Sequence, residues 1–219
     1  MQSALLLSLG LSGLAAAMPL DSRGGAPAIS QSTGVQLAVH VTDPQHALYG
    51  RVHGALFTGQ RLSQGYYMGV VAPRDPGSSG GGSRFYFADS ASNPSGTTST
   101  TLRTDVPDVY PMSALVNARE SEGEHHVSLR SGTNGTRGLY PVQGADNVPV
   151  LTGPGGGDGT YVVCPRSIGP YKDLLLVNYV YDGEAVPADC AAGTFVLLCA
   201  TLPETEWSRE AKTVACVKQ

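Results

Sequence analysis

Residues 160–200 read TYVVCPRSIGPYKDLLLVNYVYDGEAVPADCAAGTFVLLCA. Three of the four cysteines lie here. Tyr161, Val162 and Val163 form a β-prone run into Cys164. Pro165 to Lys172 reads as a break, with Gly169-Pro170 as turn punctuation. Asp173 to Tyr181 is rich in Leu, Val and Tyr; its length and its Asp182-Gly183 exit predict a buried strand rather than a helix. Pro187 to Asp189 is a loop ending in Cys190, and Thr194 to Ala200 is a third apolar run. Strands with cysteines at their edges predict a disulfide-clamped part of a β-core.

Upstream, the cleanest alternation is Gly34 to Thr42 (GVQLAVHVT). Val35, Leu37, Val39 and Val41 share one face, which predicts a half-buried strand. Tyr49–Thr58 and Gly65–Ala72 read as further strands joined through Gln60–Gln64. Arg84–Ala88 is a short aromatic strand with Phe85 and Phe87 inward. Ala114–Arg119 and His125–Ser131 read as a hairpin around an acidic turn, and Gly138–Gln143 and Val148–Thr152 as weaker strands. Pro73–Ser83 and Asp89–Thr101 are long Gly/Ser-rich loops, a kind that in a compact body is functional or disordered. Glu204–Val214 reads as a helix capped by Thr201 or Thr205. The sum is all-β: a single-domain β-sandwich or barrel-like fold with long loops and a short C-terminal helix.

The N-terminus carries an apolar run from Ala4 to Ala17, too short for a membrane span, and Ala15 and Ala17 fit small-x-small cleavage. Residues 1–17 are thus read as a secretory signal and 18–31 as a flexible leader. Residues 32–203 are the all-β domain, and 204–219 a helical tail pinned by a disulfide. Four cysteines in a secreted chain allow three pairings. Cys164–Cys190 with Cys199–Cys216 closes short loops, each contributing about 3 kcal/mol in the chain-entropy picture. Asn134-Gly135-Thr136 is an N-glycosylation sequon in a Gly-rich turn. A net charge of −4 with 15% charged residues argues against nucleic acid and against anionic membranes.

Catalytic patterns are sparse. Gly153–Thr160 has the glycines of a phosphate loop without the Lys-Ser/Thr that reaches phosphate and magnesium, and reads as a flexible loop. Glu120, Glu122, Glu124, His125 and His126 are a dense group of ligand types. Adjacent histidines on a strand point to opposite faces and cannot easily share an ion, so the group reads as a solvated turn. The G-x-S-x-G string at Gly77–Gly81 lies in the low-complexity loop, without the flanking strand and helix of a nucleophile elbow. Asp173, Asp182 and Glu184 are carboxylates available for glycoside hydrolysis, with no motif joining them. Ten tyrosines against one tryptophan favour rims that bind sugar or protein; Tyr66, Tyr67 and Tyr171 are the candidate contacts.

The pattern of Gly159 to Cys164, the strand Leu174 to Tyr181 and Pro187-Ala188-Asp189-Cys190 resembles a family of small secreted fungal proteins of unknown function, some labelled IgE-binding or allergen-like. The resemblance implies a Cys164–Cys190 disulfide and supplies no catalytic residues. This chain has Pro165-Arg166-Ser167 where an aromatic cluster is usual, and adds Cys199, Cys216 and a tail. The expectation is a secreted, extracellular, monomeric, non-catalytic protein without cofactor or metal, binding cell-wall polysaccharide or a host extracellular protein. The alternatives are a hydrolase whose site assembles from distant residues, and a structural wall or surface protein.

Overall fold

The computed structural model describes residues 27–73, 82–89, 99–106, 110–117 and 124–219. Residues 1–17, read above as a secretory signal, most of residues 18–31, the centres of both Gly/Ser-rich loops, Glu120 and Glu122 lie outside them. The fold is all-β. The strands are β1 (Ile29–Ser32), β2 (Gly34–Val41), β3 (Leu56–Ser63), β4 (Tyr66–Ala72), β5 (Tyr86–Asp89), β6 (Thr100–Val106) and β7 (Tyr110–Val116). They continue as β8 (His125–Ser131), β9 (Pro141–Gln143), β10 (Pro149–Leu151), β11 (Thr160–Ile168), β12 (Tyr171–Val180), β13 (Ala191–Ala200) and β14 (Val214–Val217). One short helix, α1 (Tyr49–Val52), precedes β3.

The pairings close on themselves. β13 pairs with β2, β2 with β3, β3 with β4, β4 with β12, β12 with β11, and β11 returns to β13. A second circuit leaves β4 through β8, β7, β6 and β5 and rejoins β2 at a Val35–Phe85 bridge. Closure leaves the strands within the first circuit without free edges, while β1 and β9, each paired on one side only, lie outside it. One core fills the interior: Val35, Leu37, Val39 and Val41 of β2 meet Phe57, Phe85, Phe195, Val163, Val177 and Tyr179. Phe57 lies 5.1 Å from Phe85 and 5.4 Å from Phe195, ring to ring, and Tyr161 reaches Phe195 at 5.1 Å. Each such pair adds about 0.5–1.5 kcal/mol to the burial itself.

Several expectations change. β11 runs through Pro165 to Ile168 rather than breaking. Pro165 lies beyond the last β11–β13 pair, Val163–Ala191, where its missing N–H costs little. Tyr49–Thr58 divides into α1 and the start of β3. Residues 29–31 of the leader are a strand, because β1 pairs with β14 from Ile29–Val217 to Ser32–Val214. β2 is buried on both faces, with Ala38 against Leu56, Val196 and Leu198. The C-terminal helix reduces to one 3₁₀ turn, Ser208–Glu210. Its N-cap is Trp207, with no side-chain cap hydrogen bond, and Thr205 instead accepts from Ser208 N through Oγ1 at 2.9 Å in the turn before it. The chain then extends, because Lys212 N donates to Phe87 O at 2.8 Å and β14 pairs with β1.

Gly193 faces Val41 in the β2–β13 register. A Cβ there would lie 2.4 Å from His40 O, and neither backbone can yield without opening the ring. Gly193→Ala is therefore expected to lower stability by about 1–3 kcal/mol, read as a lower urea midpoint. Gly50→Ala, where a Cβ meets open space, is the control.

Candidate functional site

The β11–β12 hairpin carries a bulge. Arg166 pairs with Leu174 and Ile168 with Tyr171, leaving Lys172 and Asp173 opposite a single residue. Asp173 takes φ +54°, a left-handed conformation costly for residues with a Cβ and tolerated best by Asn and Asp. Bulges re-aim side chains and are common beside binding sites. This one brings Asp173 to the wall of a cleft of about 540 Å³. Arg51 of α1, Thr58 and Gln60 of β3, and the apolar Val70 and Leu174 line it too. A cation, an anion, an amide and a hydroxyl thus converge over an apolar floor, the usual composition of a small-ligand site.

A second polar group surrounds the start of β8. His125 stands opposite Tyr179 and His126 opposite Asn178, so the two rings lie on opposite faces of the sheet, as their adjacency requires. His125 Nε2 lies 3.1 Å from both carboxylate oxygens of Glu184. His126 Nε2 lies 3.8 Å from Glu124 Oε2. Glu184 also accepts from Tyr181 N at 3.1 Å, closing the turn after β12. The group is not the solvated turn expected: His125 is 7% exposed. Arg166 is its hub, donating to Glu124 and to Asp189 beside the Cys164–Cys190 bond. Those hydrogen bonds, to Glu124 first and then to Asp189, raise the Arg166 guanidinium above its usual value. Arg166 in turn holds Asp189 below the usual carboxylate value of 3.8. A depressed carboxylate stabilises the fold above that value and stops doing so as pH falls through its folded pKa. The pair is half in solvent, so the effect is under about 1 kcal/mol. Asp189→Asn should lower Tm slightly at pH 6, and the difference from wild type should shrink as pH falls below the ordinary carboxylate value of 3.8.

The loop Gly153–Gly159 is packed rather than free. A Cβ at Gly153 would lie 1.9 Å from Tyr179 Oη, and one at Gly159 2.5 Å from it, so the glycines let the backbone wrap the phenol. Tyr179 donates to Gly157 O at 3.3 Å, and Tyr161 to Thr152 O at 2.8 Å. Burial pushes the Tyr161, Tyr179 and Tyr181 phenols up, Glu184 adding to the effect at Tyr181. Burial and then Asp105 do the same at Tyr86. Raised phenols favour the fold below pH ~10, and that support is lost as pH rises through their folded values. Alkaline titration at 295 nm should leave Tyr86 and Tyr161 protonated until unfolding, with Tyr179 and Tyr181 ionising later than an ordinary phenol. Smooth ionisation of all ten tyrosines in the native state would contradict this.

The candidate tyrosines do not form one site. Val70 is the point where β4 meets Leu176 of β12, and the antiparallel strands carry Tyr66 and Tyr171 away from it in opposite directions. Tyr67 packs against the core, and Arg130 covers the Tyr66 ring at 4.8 Å. Tyr171 stands two residues from Asp173, at the cleft's end of β12. Arg51 and Gln60 went unrecognised because they sit in unremarkable strand and turn sequence; no motif marks them. Asp173 was visible as a carboxylate but not as a bulge. Asn134 is exposed. The cysteines pair as Cys164–Cys190 and Cys199–Cys216, which fits an oxidising environment. Among the described residues no group of three His, Cys, Asp or Glu side chains is placed to hold a metal ion, and no helix is long and apolar enough to cross a membrane.

Closed strand circuits, two disulfides and a small mixed cleft define a disulfide-stabilised all-β protein. The chain belongs to the DUF7907 family, a domain of unknown function, whose profile matches residues 32–199. No curated protein and no solved structure matches it.

Proposed function

We propose that this chain is a secreted, non-catalytic binding protein whose ligand is a neutral extracellular polysaccharide, taken at the Asp173 cleft. The bulge carries the reading: a residue in a left-handed conformation costs about 1–2 kcal/mol, and here the outlier lies in a cleft wall among other polar groups. Arg51 and Asp173 bring opposite charges, so the lining favours no net charge in the ligand. Thr58 and Gln60 donate and accept, which suits hydroxyls. Among the described lining residues Asp173 is the only carboxylate, and glycoside hydrolysis takes two, which supports binding over cleavage. The two disulfides support an extracellular setting.

The test is a pull-down of the oxidised protein on insoluble chitin and β-glucan, with host extracellular protein extract run alongside. Retention on one polysaccharide and release by its soluble oligosaccharide are expected. Asp173→Ala and Arg51→Ala should each weaken retention about tenfold, the loss of one charge-assisted hydrogen bond. Asp173→Gly should keep or raise the urea midpoint while losing retention, separating ligand contact from folding. Retention of all three variants at the wild-type level, or capture only by a host protein, would overturn the assignment.

A further inference from the structure

The Cys199–Cys216 bond, spanning 17 residues, closes a loop that crosses the outer face of β5 and β6 as a strap. Polar contacts hold the strap down. Glu210 accepts from Arg103 Nη1 at 3.0 Å. Thr205 Oγ1 donates to Asp105 Oδ2 at 2.5 Å. Lys212 N donates to Phe87 O at 2.8 Å, and its ammonium pairs with Asp89. Beneath lie Arg103, 1% exposed, and Tyr86, fully buried with its hydroxyl on Asp105. Arg103 also donates to Thr101 Oγ1 at 3.2 Å and Asp89 O at 2.7 Å.

The two disulfides differ in access. Cys164 and Cys190 are 0% and 3% exposed. Cys199 instead lines a cleft of about 590 Å³ whose wall includes Arg209, Lys218 and Glu204, while its partner Cys216 is 0% exposed. Two cations against one carboxylate leave the cleft wall net positive, which attracts an incoming thiolate. The family match ends at Cys199, so the strap and Cys216 lie beyond the shared domain.

We propose that Cys199–Cys216 is a thiol–disulfide exchange site, entered from this cleft by a small dithiol, and that its opening releases the strap from Arg103. One thiolate of the dithiol attacks Cys199 Sγ. The bond to Cys216 breaks, and Cys216 leaves as a thiolate and takes a proton. The second thiol then attacks the mixed disulfide, freeing Cys199 as a thiol and leaving the reagent as a cyclic disulfide. Two electrons pass from reagent to protein. The strap, then held only by its polar contacts and by the strand pairing at its ends, loosens its hold on Arg103 and Asp105, and a guanidinium and a phenol face solvent.

The test titrates the whole oxidised protein with dithiothreitol, traps thiols with iodoacetamide and locates them by mass spectrometry. Cys199 and Cys216 should be alkylated before Cys164 and Cys190. Trypsin should cut that half-reduced species after Arg209 and Lys212 at least tenfold faster than the oxidised protein, with the far-UV spectrum unchanged. Opening of Cys164–Cys190 first, opening of both bonds together with unfolding, or unchanged cleavage at Arg209 and Lys212 would each overturn the proposal. The Cys199→Ser, Cys216→Ser double variant should show the same rapid cleavage without reductant. Should that variant fail to fold, the wild-type titration alone decides.

Discussion

The register between β2 and β13 is the constraint on which the fold rests. Eight consecutive pairs, from Gly34–Ala200 to Val41–Gly193, join the first long strand to the last. The other edge of β13 receives β11, then β10, then β14. A slip of one residue would turn Val35, Leu37, Val39 and Val41 out of the core and set a side chain where only Gly193 fits. Both disulfides brace the same strand, one from Cys190 just before it and one from Cys199 within it. By contrast, β2 meets β3 and β4 meets β12 through single pairs, joints that the shared core must hold.

The outer surface of the sheets is less ordinary than the interior. Arg166 gathers two carboxylates from distant segments, and Arg103 gathers one together with backbone carbonyls, so the strap and loops are fastened by ionic hydrogen bonds as well as by apolar contact. Arg103, 1% exposed, is a buried charge of the kind that adds little net stability over an apolar residue but is severe when its partner is lost. Asn178, wholly buried opposite His126, leaves both amide atoms without a hydrogen bond, at a cost of about 1–3 kcal/mol. The polar outer layer therefore selects one arrangement of the segments it joins, and it is the region where packing alone would have chosen other residues.

The core was legible because its signal is periodic. The alternation of β2, the inward Phe85 and Phe87, and the apolar runs that became β12 and β13 are read directly from side-chain spacing. β6 was missed: its TTLRTDV sequence looks polar because Arg103 and Asp105 are covered by a strap from the far end of the chain, a partner that no local window contains. The same tertiary contact explains the failed helix, since Lys212 bonds to Phe87 instead of continuing the turn. The cleft was half legible. Asp173 and Tyr171 stand in readable positions, but the bulge depends on where β11 and β12 fall out of step, and Arg51 reaches the cleft only because four residues coil before β3. The histidines were placed correctly on opposite faces by the strand period, while their burial came from Glu124 and Glu184, one of them far away in sequence.

The β2–β13 pairing also sets a schedule. A ribosome releases β2 long before β13, which follows roughly 150 residues later. At cellular synthesis rates that is an interval of about 10 to 30 s. For that time the row of valines and Leu37 lacks its β13 partner, and neither disulfide can help, because all four cysteines lie at residue 164 or beyond. The first circuit is thus closed late, by the same residues that afterwards clamp it.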